Sequence, residues 1–207
     1  MRAPESSGPA ATESATDENR ARILEGLGQA IAEKGYVATT IADIVKHARL
    51  SKRTFYEHFA DKEACFVASY EAVSTQMMQT VAAAVDPGRP WDEQIRAAAR
   101  AYFNILEDNP TLARAFLLEV NAAGPRALTL RREIHERFAT LLRGLVQSSR
   151  KQNPHIRPLS PEMATALVGG INELALVALE KGRGRNLRDL AATATELVQA
   201  VLAAPKG

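Results

Sequence analysis

Four cationic side chains, Lys46, Arg49, Lys52 and Arg53, lie close together in the chain, and no acidic residue interrupts it between Asp43 and Glu57. Hydroxyls (Ser51, Thr54), a phenol (Tyr56) and an imidazole (His58) are interleaved with them. A local field of one sign attracts a polyanion, and this mixture of donors can reach phosphate oxygens or base edges in a DNA major groove. The whole chain carries a net charge of only +2, so such attraction must come from local clustering. A charge run alone is usually a solvated face. What sets this one apart is its coincidence with two short helical patterns and the hydroxyl and phenol groups beside it.

Those helical patterns would position the set. Thr39 or Thr40 caps the first, in which Ile41, Ile44, Val45 and Ala48 recur at helical spacing and form one buried face. A turn from Arg49 to Ser51 leads to the second, for which Ser51 is the N-cap. Phe55 and Phe59 lie four apart and point inward together, which leaves Lys52, Arg53, Thr54, Tyr56, Glu57 and His58 facing outward. Glu57 either accepts from a cytosine amino group or faces solvent. A preceding helix from about Asp17, striped by Ile23, Leu24, Leu27, Ala30 and Ile31 and stopped at Gly35, covers the pair. Arg20 and Arg22 near its start either touch a phosphate or stay solvated.

The stretch GYVATTIADIVKHARLSKRTFYEHFADKEACF, residues 35–66, resembles the tetracycline-repressor (TetR) family of bacterial transcription regulators. The resemblance rests on Gly35-Tyr36, Thr40 opening a helix, Ser51 and Thr54 before Phe55-Tyr56, His58-Phe59 and Lys62-Glu63, and it covers roughly residues 19–66. It implies that Thr40, Tyr56, His58 and Lys62 contact the DNA backbone, while Lys52, Arg53 and Thr54, behind Ser51, serve base edges and nearby phosphates. Two positions depart from the family pattern: Arg49 stands where a turn glycine is common, and Glu57 where a neutral or basic residue is frequent. The remainder matches the family in length and in being helical.

Residues 1–16, rich in Pro, Ser, Ala and Thr, are expected to be disordered, residues 17–60 to form a three-helix helix-turn-helix head, and residues 61–207 a helical domain for effector binding and dimerisation. The whole reads as all-α, with about nine helices and no strand-like alternation. Asp61 caps a helix that starts beside the cationic surface and runs to about Val85. Asn109-Pro110, Gly124-Pro125 and Ser160-Pro161 punctuate the helices that follow. The last two, from Met163 and from Leu187, are apolar nearly all round, and Gly169-Gly170 permits close approach. They either form a four-helix interface between two subunits or complete the core of one; the resemblance favours the dimer, which would read a palindromic operator. It also implies an effector cavity, for which Trp91, Tyr102, Phe103, Phe116, Phe138 and Met163 are candidates; each is otherwise a core side chain.

Other function classes find little support. The four histidines are scattered, none follows a glutamate by three residues, and neither a phosphate-binding glycine loop nor a Gly-x-Ser-x-Gly turn occurs. One cysteine, Cys65, allows no internal disulfide and no cysteine-based zinc site; it is a buried small hydrophobe or a redox-sensing thiol. No cofactor or metal is expected. No leader pattern or uninterrupted apolar run of membrane length is evident, so the expected location is the cytoplasm, without a membrane partner. The competing reading is a helical adaptor or small-molecule-binding protein that does not bind DNA, which would leave the cationic face unexplained.

Overall fold

A computed structural model describes residues 9–184 and 186–203. Every regular element among them is helical, in the order α1 (Pro9–Ala38), α2 (Ile41–Ala48), α3 (Lys52–His58), α4 (Lys62–Ala83), α5 (Trp91–Asp108), α6 (Pro110–Arg114), a π-helical turn (Ala115–Glu119), α7 (Val120–Ala123), α8 (Pro125–Arg150), α9 (Pro161–Glu180), a 3-10 turn (Leu187–Asp189) and α10 (Leu190–Leu202). Because α6, the π turn and α7 follow one another without a gap, the described residues form nine helical runs, as the periodicity predicts.

The chain divides into two units after Ser69, inside α4, rather than at the start of that helix. The reason is that the first turns of α4 carry Cys65 and Phe66 into the N-terminal core, where Phe66 meets Tyr36 edge-on at 4.9 Å. At the other end α1 already begins at Pro9, so residues 9–16 are helical where disorder is expected. Ala10, Ala11, Glu13 and Ala15 are strong helix formers, and proline suits a first turn. Residues 1–8 of that expected tail lie outside the described residues.

In the N-terminal unit α1 crosses α2 backbone against backbone. A Cβ at Gly26 would stand 2.6 Å from the Ile44 carbonyl oxygen and 2.9 Å from the Ala48 nitrogen, so only glycine permits the approach. Ile23, Leu27, Ala30 and Ile31 of α1 then close over Ile44, Val45, Ala48, Phe55 and Phe59. Polar bonds lock the same crossing. The Arg22 guanidinium donates to the carbonyls of Ala48 at 2.7 Å and Arg49 at 3.1 Å, satisfying the end of α2 instead of waiting in solvent. Lys34 pairs with Asp43 at 2.7 Å. Arg20 lies over the Phe59 ring, 5.6 Å from its centroid. Gly35 breaks α1 at φ 78, as expected of its stop.

The C-terminal unit is built from the rest of α4 and from α5 to α10, with α8 on α9 and α10 on α5 as its main pairings. In its interior, buried Gln94 donates to the Arg89 carbonyl at 2.8 Å and accepts from the Ser149 hydroxyl at 3.1 Å. Asn109 does not cap α6 with its side chain; its amide instead donates to the Ile105 carbonyl at 2.9 Å. Ser160 does cap α9, accepting from the Met163 N–H at 3.2 Å.

Among the described residues α9 is long and apolar enough to cross a membrane, which the sequence reading did not anticipate. Ala164, Leu167, Val168, Ala175, Ala178 and Leu179 bury one side of it in the core, but only 33% of its apolar window is buried, so the single chain covers it incompletely.

Gly26→Ala should lower unfolding stability by about 2 kcal/mol, because the clash is with backbone that cannot rotate aside; an unchanged urea midpoint would contradict the crossing. Cys65 is fully buried, and burial pushes its thiol up to about 12. A thiol reagent at neutral pH should therefore leave the native chain unlabelled and react only after denaturation.

Candidate nucleic-acid interface and ligand cavities

Capping fixes the two helices that carry the cationic set. Thr40, not Thr39, caps α2: its hydroxyl accepts from the Asp43 N–H at 3.3 Å, and the Asp43 carboxylate accepts from the Thr40 N–H at 2.8 Å. Thr39 is buried, donating to the Gly35 carbonyl at 2.7 Å. Bonds from Lys34 and Thr40 hold the Asp43 carboxyl well below the usual aspartate range. The stabilisation this gives the cap is complete above the ordinary value of 3.8 and fades as the pH falls below it. Arg49 occupies the left-handed C-cap at φ 53, where its N–H faces the Lys46 and Val45 carbonyls. The tight turn thus survives without glycine, held from outside by Arg22. Ser51 caps α3, accepting from the Thr54 N–H at 3.0 Å.

With Phe55 and Phe59 buried, the rest of α3 turns outward within its unit. Ser51, Lys52, Arg53, Tyr56 and Glu57 are exposed, Thr54 and His58 half-buried; Lys46 of α2, absent from the expected contact set, is exposed as well. Tyr56 shows 57% of its surface, unusual for so large an aromatic ring. Glu57 faces solvent, one of its two expected roles, and there pairs with Arg53 at 3.1 Å, both side chains remaining wet. Such a surface pair is worth little, so Arg53 is easily released to a stronger partner.

Lys62, expected to contact the DNA backbone, makes bonds within its own unit. Its ammonium donates to the Tyr36 and Thr39 carbonyls at 2.8 Å each and to Val37 at 3.4 Å, and sits 4.2 Å from the Tyr36 ring centroid. Burial lowers its pKa. The side chain pins the segment between α1 and α2, and with it the capped start of α2. Sequence reasoning missed this because an isolated lysine beside a cationic helix carries no sign of carbonyls brought from residues 36–39.

Two cavities open in the C-terminal unit. One, about 640 Å³ with its mouth included, is lined by Val81, Ile95, Leu141, Leu145, Val168 and Val198 among others, with Tyr102 and Asn172 as its polar members. The other, about 510 Å³, adds Tyr70, Ser74, Asn109, Phe116, Ile134 and His135. Tyr102, Phe138 and Asn172 face both. Of the expected effector residues, Tyr102, Phe116 and Phe138 therefore line a cavity. Phe103 does not: one step along α5 from Tyr102, it turns about 100° away into the core and is fully buried. Trp91 packs at the edge of a core cluster, and Met163, in the first turn of α9, is 45% exposed. The small aliphatic residues that form most of the lining look like ordinary core in a sequence.

Residues 23–69 match the family model for bacterial regulatory proteins of the tetR family. The HTH-type transcriptional regulator YhgD of Bacillus subtilis is 34% identical over 89 residues, which span 43% of this chain and 45% of that one. The HTH-type transcriptional activator FasR of Mycolicibacterium smegmatis is 26% identical over 91 residues, 44% of this chain and 42% of its own. The match thus spans less than half the length of these relatives. Among solved structures, the transcriptional regulator FadR of Bacillus subtilis in complex with stearoyl-CoA superposes with a TM-score of 0.76 at 18% identity, over 88% of this chain and 98% of that one, a likeness of fold. Residues 23–69 thus carry the N-terminal helix-turn-helix of the tetR family of bacterial regulatory proteins, and the helical body behind it has the fold of the solved regulator.

Proposed function

We propose that the chain is a homodimeric, sequence-specific DNA-binding regulator, a repressor released by a largely apolar ligand. The observation that carries this reading is the exposed outward face of α3, where Lys52, Arg53 and Tyr56 are unobstructed within their unit while Phe55 and Phe59 anchor it from behind. Ser51, Thr54 and His58 flank them, and Thr40 and Lys46 extend the same chemistry onto α2. A seven-residue helix reads too few base pairs alone, so two copies on a palindrome, with centres about 34 Å or a longer whole-turn distance apart, supply the specificity. The incompletely covered apolar side of α9 supports pairing through the last two helices.

Release runs through α4. Its first residue, Lys62, holds the segment before α2, while Tyr70, Val73, Ser74 and Met77 line one cavity and Val81 the other. A ligand that favours one position of this helix would change the spacing of two recognition helices, and it acts only to the extent that it binds the two positions unequally. Since FadR of Bacillus subtilis was solved with stearoyl-CoA, a fatty acyl thioester is the first effector to test.

In a gel shift with DNA flanking its own gene, binding should weaken steeply with salt, and Lys52→Ala should reduce the slope of log affinity against log salt by about one. Tyr56→Ala should weaken binding at unchanged melting temperature. Lys62→Met should weaken binding and also cost about 2 kcal/mol of stability, since three carbonyls lose a charged donor. Light scattering should give twice 22.4 kDa. Absent or salt-independent binding would replace this reading with the protein-binding adaptor.

A further inference from the structure

The two cavities differ in chemistry on either side of a shared wall. Beyond it the larger one is lined by aliphatic side chains, and its only polar members, Tyr102 and Asn172, satisfy each other, the phenol donating to the Asn172 amide oxygen at 3.0 Å. The smaller one carries Ser74, Asn109 and His135 as well. Three side chains face both spaces: the Tyr102–Asn172 pair and the Phe138 ring, which meets Tyr102 edge-on at 6.0 Å. The Asn172 amide is itself steadied by donating to the Val168 carbonyl at 3.0 Å.

We propose that the two cavities are one channel latched across its middle by the Tyr102–Asn172 hydrogen bond and Phe138, and that its ligand is an unbranched aliphatic chain with one polar head, held head-first at Ser74, Asn109 and His135. This rests on the reading that the C-terminal unit holds the effector. A head carrying a carbonyl or carboxylate suits the smaller cavity, because burial and the Arg131 charge keep the His135 imidazole neutral and able to donate, and the same arginine acts on Tyr70. The tail finds only apolar contacts past the wall. A chain too short to reach the wall leaves the latch closed, whereas a longer one must break a buried hydrogen bond before it gains the second space. The latch is therefore a chain-length discriminator set between the head-binding space and the aliphatic one.

Calorimetry with octanoate, laurate and stearate, and in parallel with their coenzyme A thioesters, tests this on the full chain. Tyr102→Phe keeps the ring and removes the latch: stearate and stearoyl-CoA should bind about fivefold tighter, with octanoate unchanged within about twofold. Phe138→Trp narrows the passage and should weaken the long chain about tenfold while sparing the short one. The head is then identified by whichever series, acid or thioester, binds more tightly. The channel is overturned if Tyr102→Phe shifts long and short chains equally or shifts neither, or if the wild type binds no member of either series. The same preparations are run in the gel shift: intact operator binding without aliphatic binding refutes the channel alone, and loss of operator binding by wild type refutes the DNA reading alone.

Discussion

The N-terminal unit depends on a contact between two backbones. α2 and α3 have eight and seven residues, too few to be stable by themselves, since helix initiation is unfavourable and few bonds repay it. They persist because α1 lies directly against α2 at Gly26, with no side chain between the chains. That proximity lets Arg22 reach the carbonyls at the end of α2 and lets Lys34 reach Asp43 near its start. The end of α2 fixed by Arg22 is the turn that launches α3. The direction in which Lys52, Arg53 and Tyr56 project is thus set by a glycine on a different helix, well before them in sequence.

α4 extends this dependence. It carries Lys62 at one end, bonded to the carbonyls of Tyr36 and Thr39, and cavity-lining side chains farther along. Cys65 and Phe66 tie its first turns into the N-terminal core. The cation at Lys62 is placed where it orders the protein's own backbone between α1 and α2.

Much of this was legible in the residues. The apolar spacing of α2, the Phe55–Phe59 pair, the Ser51 and Ser160 caps and the breaks at Gly35 and Gly124 are local signals, and local signals survive translation into structure. What was not legible depends on partners far apart in sequence. Nothing near Lys62 announces the carbonyls it bonds, and nothing near Arg22 announces α2. Adjacent aromatic residues at 102 and 103 look equivalent until the helix phase assigns one to a cavity and the other to the core. Large side chains were favoured as cavity lining, whereas space is left where small ones, Ala98, Ala99 and Ala194, fail to fill it. Residues 9–16 show the reverse error: a composition suited to disorder also contains enough alanine to continue a helix.

The π turn at Ala115–Glu119 interrupts an otherwise regular run, and it brings Phe116 and Leu117 to the wall of the smaller cavity, with Phe116 stacked on Tyr70 at 4.4 Å. Such a turn accommodates one residue more than the α-helix around it. Loss of a single codon here would restore α geometry by removing the extra residue, leaving the helical register on either side in place. Chains differing by one residue in length at this point would keep the same helices in the same places while presenting different side chains to whatever they enclose. The position is therefore one at which the lining of the smaller cavity can change through indels rather than substitutions, without disturbing the scaffold.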